Sequence, residues 1–181
     1  MTAPPDEGWW VLRAQAGDIE ALELLLTTVQ APLLRFVTRM VVNPAAAEDV
    51  LQDVMFTISC KIQWLDRPEA FRAWAYRIAS RQALAHLRGE ERDRHRIDPQ
   101  ADLDDLEAAG ERAADVVERL PELLAHVSPS SRIVLALHYL EEQPLDAVAA
   151  ILGIPLGTVK SRLAYGLKTL RQRINPAEGR P

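Results

Sequence analysis

A run of small, polar and basic residues near the end of the chain has the composition of a helix that enters the major groove of DNA. The run reads Leu152-Gly153-Ile154-Pro155-Leu156-Gly157-Thr158-Val159-Lys160-Ser161-Arg162-Leu163. A recognition helix needs a short glycine-bearing turn before it and short polar or basic side chains on its first exposed turns. Those positions are Gly157, Thr158, Lys160, Ser161 and Arg162, with Arg171 further along the same helix. The alternative is an ordinary helical hairpin whose basic face is only solvated.

An acidic stripe lies earlier in the chain, at a spacing that places it on one side of a helix. It consists of Asp49, Gln52, Asp53 and Phe56 at positions i, i+3, i+4 and i+7, with Glu48 beside it. Acidic side chains next to an exposed aromatic ring suit a protein partner that carries basic residues. A charged stripe can equally be a solvated helix face, and Phe56 can belong to the core.

A third group combines arginines with aromatic residues. The arginines are Arg72, Arg77, Arg81 and Arg88, the aromatics are Trp74 and Tyr76, and the loop Trp64-Leu65-Asp66-Arg67 precedes them. Basic side chains neutralise phosphates, and a loop beside aromatics can hold an unstacked base, so this group could bind partly opened DNA. The competing interpretation is structural, because Trp74 has the spacing of the core residues Phe71 and Ile78. Trp9 and Trp10 are likewise expected to pack the N-terminal segment.

The residues offer little for catalysis or for metal binding. The histidines, His86, His95, His126 and His138, are scattered without ligand spacing, and the sequence has no glycine-rich phosphate loop. Cys60 is the single cysteine, which excludes an internal disulfide and fits a reducing compartment. The first eight residues do not have the pattern of a signal peptide, and no stretch approaches the ~20 apolar residues of a membrane span. We therefore expect a cytoplasmic protein that is not an enzyme and holds no metal or cofactor.

Helical periodicity and capping signals predict an all-α chain, with no alternating strand pattern in its N-terminal part. Asp18 is expected to cap a helix to about Val42, and Asn43 and Pro44 to begin a second helix to about Gln63. Pro68 then opens a third helix that passes Leu87. Ser128 and Pro129 begin the next helix, and Leu145–Leu152 form a short one closed by Gly153. The last helix buries Thr158, Val159, Leu163, Leu167 and Leu170, which completes a helix-turn-helix layout.

The distribution of charge divides the chain into two small helical domains joined by an acidic connector. The net charge is -5, yet the segment from Asp98 to Glu122 holds nine acidic residues against two arginines. Nine basic residues lie between Lys61 and Arg96, and five between Gly157 and Arg173. We predict domains over residues 1–96 and 111–181, with a flexible acidic linker over residues 97–110 and helix resuming near Glu111.

As a set, these residues resemble the extracytoplasmic-function (ECF) group of bacterial sigma factors, the smallest members of the sigma-70 family. Ala47-Glu48-Asp49-Val50-Leu51-Gln52-Asp53-Val54-Met55-Phe56 is similar to the polymerase-binding helix of sigma region 2. Phe71-Arg72-Ala73-Trp74-Ala75-Tyr76-Arg77-Ile78-Ala79 is similar to its promoter-melting helix, and Ser128 to Arg171 to the helix-turn-helix of sigma region 4. Other regulators share the last string, whereas the ordered combination of all three is far more specific.

The resemblance implies a two-domain helical initiation factor that binds core RNA polymerase at its β′ clamp and β flap and recognises promoter DNA. It also implies an anti-sigma factor as a controlling partner, which could hold the protein near the membrane without insertion. The implied polymerase-binding residues are Glu48, Asp49, Gln52, Asp53 and Phe56. The implied minus-ten residues are Trp64, Leu65, Asp66, Arg67, Arg77, Ser80, Arg81 and Arg88, and the implied minus-thirty-five residues are Gly157, Thr158, Lys160, Ser161, Arg162 and Arg171. The acidic linker would replace nucleic acid in the polymerase channels.

Two departures from the family pattern bear on DNA binding. Further arginines are common one turn after the Ser-Arg-Leu string, whereas this chain has Ala164-Tyr165-Gly166-Leu167, which removes positive charge and places a helix-weakening glycine there. Ser80, Arg81 and Ala85 stand where Arg, Asn and Asp are common, which leaves the minus-ten preference open. A rival hypothesis is therefore a sigma-like mimic that occupies an anti-sigma factor without reading promoters. A repressor or activator that binds duplex DNA without polymerase ranks last, because it leaves the acidic stripe unexplained.

Overall fold

The computed structural model describes residues 6–41, 43–97 and 120–174, and within these ranges the chain is helical with no β-strand. The helices are α1 (Glu7–Gln15), α2 (Ile19–Val41), α3 (Pro44–Lys61), α4 (Phe71–Ile97), α5 (Leu120–Ala125), α6 (Pro129–Leu135), α7 (Leu145–Leu152) and α8 (Leu156–Ile174). Two 3₁₀ turns, Ile62–Trp64 and Pro68–Ala70, connect α3 to α4, and a π-helical turn, Ala136–Leu140, follows α6. The all-α fold class is confirmed.

Side-chain capping accounts for the starts of α2 and α3. Asp18 Oδ1 accepts a hydrogen bond from the Ala21 N–H at 3.1 Å, and Asn43 Oδ1 accepts one from the Ala45 N–H at 3.1 Å. Pro44 occupies the first position of α3, where its missing N–H leaves no helical hydrogen bond unmade. Both helices begin where the sequence predicts.

Two other helix starts differ from the prediction. Pro68 begins a 3₁₀ turn rather than α4, because the Ala70 N–H bonds to the Arg67 carbonyl at 2.9 Å and closes a tighter turn first. Ser128 precedes α6 as expected, but its hydroxyl makes no capping hydrogen bond. Its backbone carbonyl starts the helix instead, accepting the N–H groups of Ser131 and Arg132 at 2.9 Å each.

The chain divides into two compact units, and α4 contributes to both. The first unit contains Met1–Thr38 and Asn43–Ala83, and the second contains Arg39–Val42 and Leu84–Pro181. In the first unit, the fully buried side chains of α2, α3 and α4 include Leu25, Leu33, Phe36, Ile58 and Phe71. The Phe36 and Tyr76 rings pack edge to face with centroids 5.4 Å apart. This core fixes the outward faces of α3 and α4.

Helix α2 is long and apolar enough to cross a membrane, although no membrane-spanning stretch is expected from the sequence. Its length and an 18-residue window of mean hydropathy 1.2 meet the criterion for a membrane-crossing helix. The core helix of a globular unit meets the same criterion, and here a third of that window is buried, including Leu25, Leu33 and Phe36 in the first unit.

The N-terminal helix α1 was not predicted, and it changes the role expected for Trp9. The residues of α1 that are buried are Gly8, Val11 and Ala14, at helical spacing, whereas Trp9 is 53% exposed. Trp10 is half-buried, with the Arg13 guanidinium 5.1 Å from its ring centroid. Small residues, rather than the tryptophans, therefore pack α1 against the rest of the unit.

The second unit is held together by packing of α5, α6 and α7 against α8. Its apolar cluster contains the buried Leu124, Val127 and Leu135, against which Leu163, Leu167 and Leu170 of α8 pack. Arg132 is only 5% exposed, and its Nη2 donates to the carbonyls of Ala125 and Val127 at 2.9 and 3.1 Å. These bonds tie the α5–α6 turn to the start of α6.

The acidic linker expected over residues 97–110 lies outside the described residues, apart from Ile97 at the end of α4, and so does the expected helix resumption near Glu111.

Candidate partner and nucleic-acid surfaces

One side of α3 carries the acidic stripe, and the opposite side is core. Ala47, Val50, Leu51, Val54 and Ile58 are buried. The stripe residues Glu48, Asp49, Gln52, Asp53 and Phe56 are all exposed, and we name this set the α3 acidic face. Phe56 is 70% exposed, so the structural alternative in which it belongs to the core is excluded for this fold. An exposed aromatic ring within a row of carboxylates is a feature of protein-binding surfaces.

A groove of about 690 Å³ runs beside the α3 acidic face, between α2 and α3. Glu48 and Gln52 line its α3 side together with the apolar Leu51 and Met55. The α2 side is lined by Glu23, Leu26, Thr27, Gln30 and Leu34. Sequence reasoning missed these α2 residues, although their i, i+3, i+4, i+7, i+11 spacing forms a second stripe that could have indicated a surface role.

The α3–α4 loop, residues 62–70, presents one tryptophan to solvent. Trp64 is 71% exposed, while Ile62 and Leu65 on either side of it are buried. Leu65, one of the residues predicted to contact DNA, has a side chain that is only 8% exposed, because it anchors the loop to the core. Trp64 is therefore the apolar side chain of this loop that a base could stack on.

The polar residues of the α3–α4 loop include an ion pair. Asp66 and Arg67 are exposed, and Arg67 Nε lies 2.9 Å from Glu69 Oε1. The backbone N–H of Glu69 and the Arg67 guanidinium lower the pKa of the Glu69 carboxyl. The pair is solvent-exposed, so its contribution to stability is small and salt-dependent.

Helix α4 carries the predicted arginines, and one predicted residue on the same helix is buried. Arg81 and Arg88 are exposed and Arg77 is half-buried. Ser80, also predicted to contact DNA, is only 1% exposed, because it shares the inner side of α4 with Ala79 and Ala83. Trp74 is half-buried beside Phe71, with ring centroids 6.3 Å apart, in keeping with its expected packing role.

Helices α7 and α8 form the predicted helix-turn-helix. Their axes differ in direction by 107°, within the range of DNA-binding helix-turn-helix motifs. Gly153 ends α7 in the left-handed conformation, with φ 66° and ψ 38°. Backbone bonds from the N–H groups of Thr158 and Val159 to the Pro155 carbonyl, 2.9 and 3.1 Å, start α8.

Helix α8 carries all six residues that the sequence predicts for the minus-thirty-five surface. Gly157, Lys160, Ser161 and Arg171 are exposed, and Thr158 and Arg162 are half-buried. The Ser161 hydroxyl donates to the Thr158 carbonyl at 3.0 Å, which leaves its oxygen lone pairs free to accept from a base or a water. Tyr165 is 60% exposed and lies on the same side of α8 as Thr158, Ser161 and Arg162, at i+7, i+4 and i+3.

The glycine in α8 has a packing function that the sequence did not reveal. A Cβ atom at Gly166 would lie 2.8 Å from Leu135 Cδ1, 3.3 Å from Leu135 Cγ and 3.4 Å from Ser131 Cβ, so a larger residue at this position would have to displace the Leu135 side chain. Leu167, next to it, packs against the apolar cluster of the second unit. Gly166 and Leu167, which differ from the family pattern, therefore face the core and do not replace any residue on the exposed side of α8.

Within the described ranges, no three His, Cys, Asp or Glu side chains are grouped so that they could hold a metal ion.

Comparison with known proteins identifies two family regions in the chain. Sigma-70 region 2 matches residues 25–93, and sigma-70 region 4 matches residues 123–172, which together exceed half of the chain. The ECF RNA polymerase sigma factor SigW of Bacillus subtilis is 24% identical over 176 residues, covering 91% of this chain and 94% of SigW. The RNA polymerase sigma-E factor of Streptomyces coelicolor is 28% identical over 160 residues, covering 87% of this chain and 88% of the sigma-E factor.

Two solved structures share the fold. CnrH, solved in complex with the cytosolic domain of CnrY, has a TM-score of 0.69 and 20% identity, covering 94% of this chain and 98% of its own. The sigma factor RpoE of Bartonella quintana, solved with the anti-sigma factor NepR, has a TM-score of 0.69 and 19% identity, covering 88% of this chain and 99% of RpoE. The two region matches in their order, and the near full-length similarity to ECF sigma factors, show that the chain belongs to the sigma-70 family of RNA polymerase sigma factors, in its extracytoplasmic-function group.

Proposed function

We propose that this protein directs core RNA polymerase to promoters that have separate minus-ten and minus-thirty-five elements. The observation that carries the proposal is the arrangement of three surfaces along one chain: an acidic face on α3, an exposed aromatic loop with arginines after it, and a helix-turn-helix. Residues 1–96 supply the first two surfaces and residues 111–181 the third, with residues 97–110 as the acidic connector.

The α3 acidic face is the proposed contact for the β′ clamp of polymerase. Asp49 and Asp53 offer exposed carboxylates to basic partner residues, which favours fast and specific association. Phe56 supplies an apolar anchor at the end of the row, and burial of such an anchor dominates many interfaces. The C-terminal domain would contact the β flap.

The proposed minus-ten surface consists of Trp64, Asp66 and Arg67 in the α3–α4 loop and Arg77, Arg81 and Arg88 on α4. Leu65 and Ser80 are left out because both are buried. Promoter opening exposes unpaired bases, and an exposed indole stacks on a base of any sequence. Arginines along α4 neutralise the phosphates of the strand held there.

The proposed minus-thirty-five surface is the exposed side of α8. Thr158, Ser161 and Arg162 lie on its first turns, where a recognition helix places side chains against base edges. Gly157, Lys160 and Arg171 complete the surface, the last two as phosphate contacts.

An anti-sigma factor is the proposed regulator. The related RpoE of Bartonella quintana was solved in complex with an anti-sigma factor, and the α3 acidic face offers such a partner the same surface as polymerase. A protein that covered this face would exclude polymerase by competition. The proposed location is the cytoplasm, near the membrane if the regulator is anchored there.

The alternative, a mimic that binds only an anti-sigma factor, rested on Tyr165 and Leu167. Leu167 packs on the core in the structure, so it does not interrupt the DNA-facing side of α8. Tyr165 remains exposed and adds a hydrogen-bonding ring to that side. These positions therefore favour a promoter-reading protein.

Transcription with purified core polymerase and sheared host genomic DNA, with and without this protein, tests the proposal. We expect new RNA 5′ ends that share two spaced upstream elements. Polymerase binding without new starts would contradict promoter reading, and absence of both polymerase binding and starts would favour the mimic.

A further inference from the structure

We propose that Gln15, the last residue of α1, is a positioning residue for promoter opening, because it holds the α3–α4 loop in the form that presents Trp64 to an unpaired base. The inference rests on the proposed function, which gives Trp64 its DNA-facing role.

The Gln15 amide bonds to both ends of the 3₁₀ turn that contains Trp64. Gln15 Nε2 lies 2.9 Å from the Ile62 carbonyl oxygen and 2.9 Å from the Leu65 carbonyl oxygen. An amide nitrogen carries two N–H groups, so this one side chain donates to both carbonyls. The Leu65 N–H also bonds to the Ile62 carbonyl at 3.1 Å. Side chain and backbone thus close the same turn.

We call these two hydrogen bonds, from Gln15 Nε2 to the Ile62 and Leu65 carbonyls, the Gln15 clip. The clip explains how the indole of Trp64 stays in solvent. The flanking side chains of Ile62 and Leu65 are 2% and 8% exposed, whereas Trp64 is 71% exposed. Burial of a large apolar side chain is favourable, so a loop free to rearrange would tend to fold its indole onto nearby apolar surface. Fixing the two carbonyls around Trp64 removes that freedom and keeps the ring available.

Helix α1 packs against both 3₁₀ turns of the α3–α4 loop, and further contacts near each of its ends hold it in place. Near its start, Gly8 packs against the loop, since a Cβ there would lie 3.6 Å from the Glu69 nitrogen, and Glu7 Oε1 lies 3.0 Å from Arg72 Nε. Near its end, Arg13 forms an ion pair with Asp18. Gln15 therefore acts from a fixed helix, which is what a positioning residue requires.

Two substitutions separate the donor role of Gln15 from its bulk. Gln15→Glu keeps the shape and removes both N–H donors, whereas Gln15→Lys restores donors on a side chain of similar length. On the strongest promoter mapped by start-site sequencing, carrying 2-aminopurine in its minus-ten segment, we expect holoenzyme with Gln15→Glu to open DNA about fivefold more slowly. Gln15→Lys should stay within about twofold of the parent protein. Equal loss in both variants, or normal opening with Gln15→Glu, would overturn the proposal.

A double-mutant cycle tests whether Gln15 acts through Trp64. Trp64→Ala should slow opening about tenfold, since base stacking on an aromatic ring is lost. Gln15→Glu combined with Trp64→Ala should then be no slower than Trp64→Ala alone, because the clip has no ring left to present. Multiplied effects would show that Gln15 supports the fold in general, which contradicts a positioning role.

Hydrogen exchange on the free full-length protein tests the clip without DNA or polymerase. Gln15→Glu should speed exchange at the Leu65 N–H at least about fivefold, while the amides of α3 stay unchanged. Unchanged exchange would overturn the clip. Failure of the parent protein to start transcription would overturn the function proposed for Trp64, and the exchange result would still decide the Gln15 contact.

Discussion

Among single residues, the basic side chains Arg162 and Lys168 of α8 are proposed to have different roles, base reading for Arg162 and phosphate binding for Lys168. Arg162 is half-buried on the side shared with Thr158 and Ser161, while Lys168 is exposed further along the helix. A guanidinium can bond bidentately to guanine, whereas an ammonium acts as a point charge on phosphates. The two side chains are therefore expected to fail in different ways when removed.

Arg162→Ala should cost about 1–3 kcal/mol on the preferred promoter and relax the preference at one position of the minus-thirty-five element. Lys168→Ala is the matched control and should weaken binding of all sequences alike, with a smaller salt dependence. Holoenzyme binding to a library of minus-thirty-five variants measures both effects. A uniform loss with Arg162→Ala would place that side chain on phosphate and contradict its reading role.

Between helices, the close packing of α8 on α6 depends on Gly166, which has no side chain. Gly166→Val should destabilise the second unit by about 1–3 kcal/mol, because its Cβ would meet Leu135 Cδ1 at 2.8 Å and the neighbours must move. Gly89→Ala in α4 is the control: no atom lies within 4 Å of the new Cβ, so the better helix former should stabilise by up to ~1 kcal/mol. Urea unfolding measures both changes. Gly166→Val with parental stability would show that α6 and α8 are not held this close.

The long amphipathic helices could be predicted from sequence because their signals are local. The capping residues Asp18 and Asn43 and the left-handed Gly153 lie where their chemistry requires. The differences fall where long-range packing decides. Leu65 and Ser80 occupy sequence positions that predict DNA contact, but both side chains are buried in the core. The close packing at Gly166 involves Leu135 and Ser131, which lie more than 30 residues earlier in the chain. No periodicity carries that information.

Over the molecule as a whole, the net charge of -5 conceals separate acidic and basic regions. Carboxylates are concentrated on the α3 acidic face and in the segment from Asp98 to Glu122, while the exposed residues of α8 include the basic Lys160, Lys168 and Arg171. A protein that must join a polymerase and DNA at once gains from keeping opposite charges on separate surfaces, because each surface then attracts one partner and repels the other.

Reversal of Asp49 and Asp53 to Arg tests this division directly. Both side chains are exposed, so the fold should survive, but basic partner residues would now face like charge, and we expect core polymerase to bind about 100-fold more weakly. Reversal of Glu20 and Asp146 to Arg changes the net charge equally at exposed sites off the α3 acidic face and should leave binding within about threefold. Fluorescence titration with core polymerase at two salt concentrations distinguishes the cases. Equal losses in both pairs would mean that polymerase senses total charge, whereas a selective loss that shrinks with salt assigns the α3 acidic face to the polymerase contact.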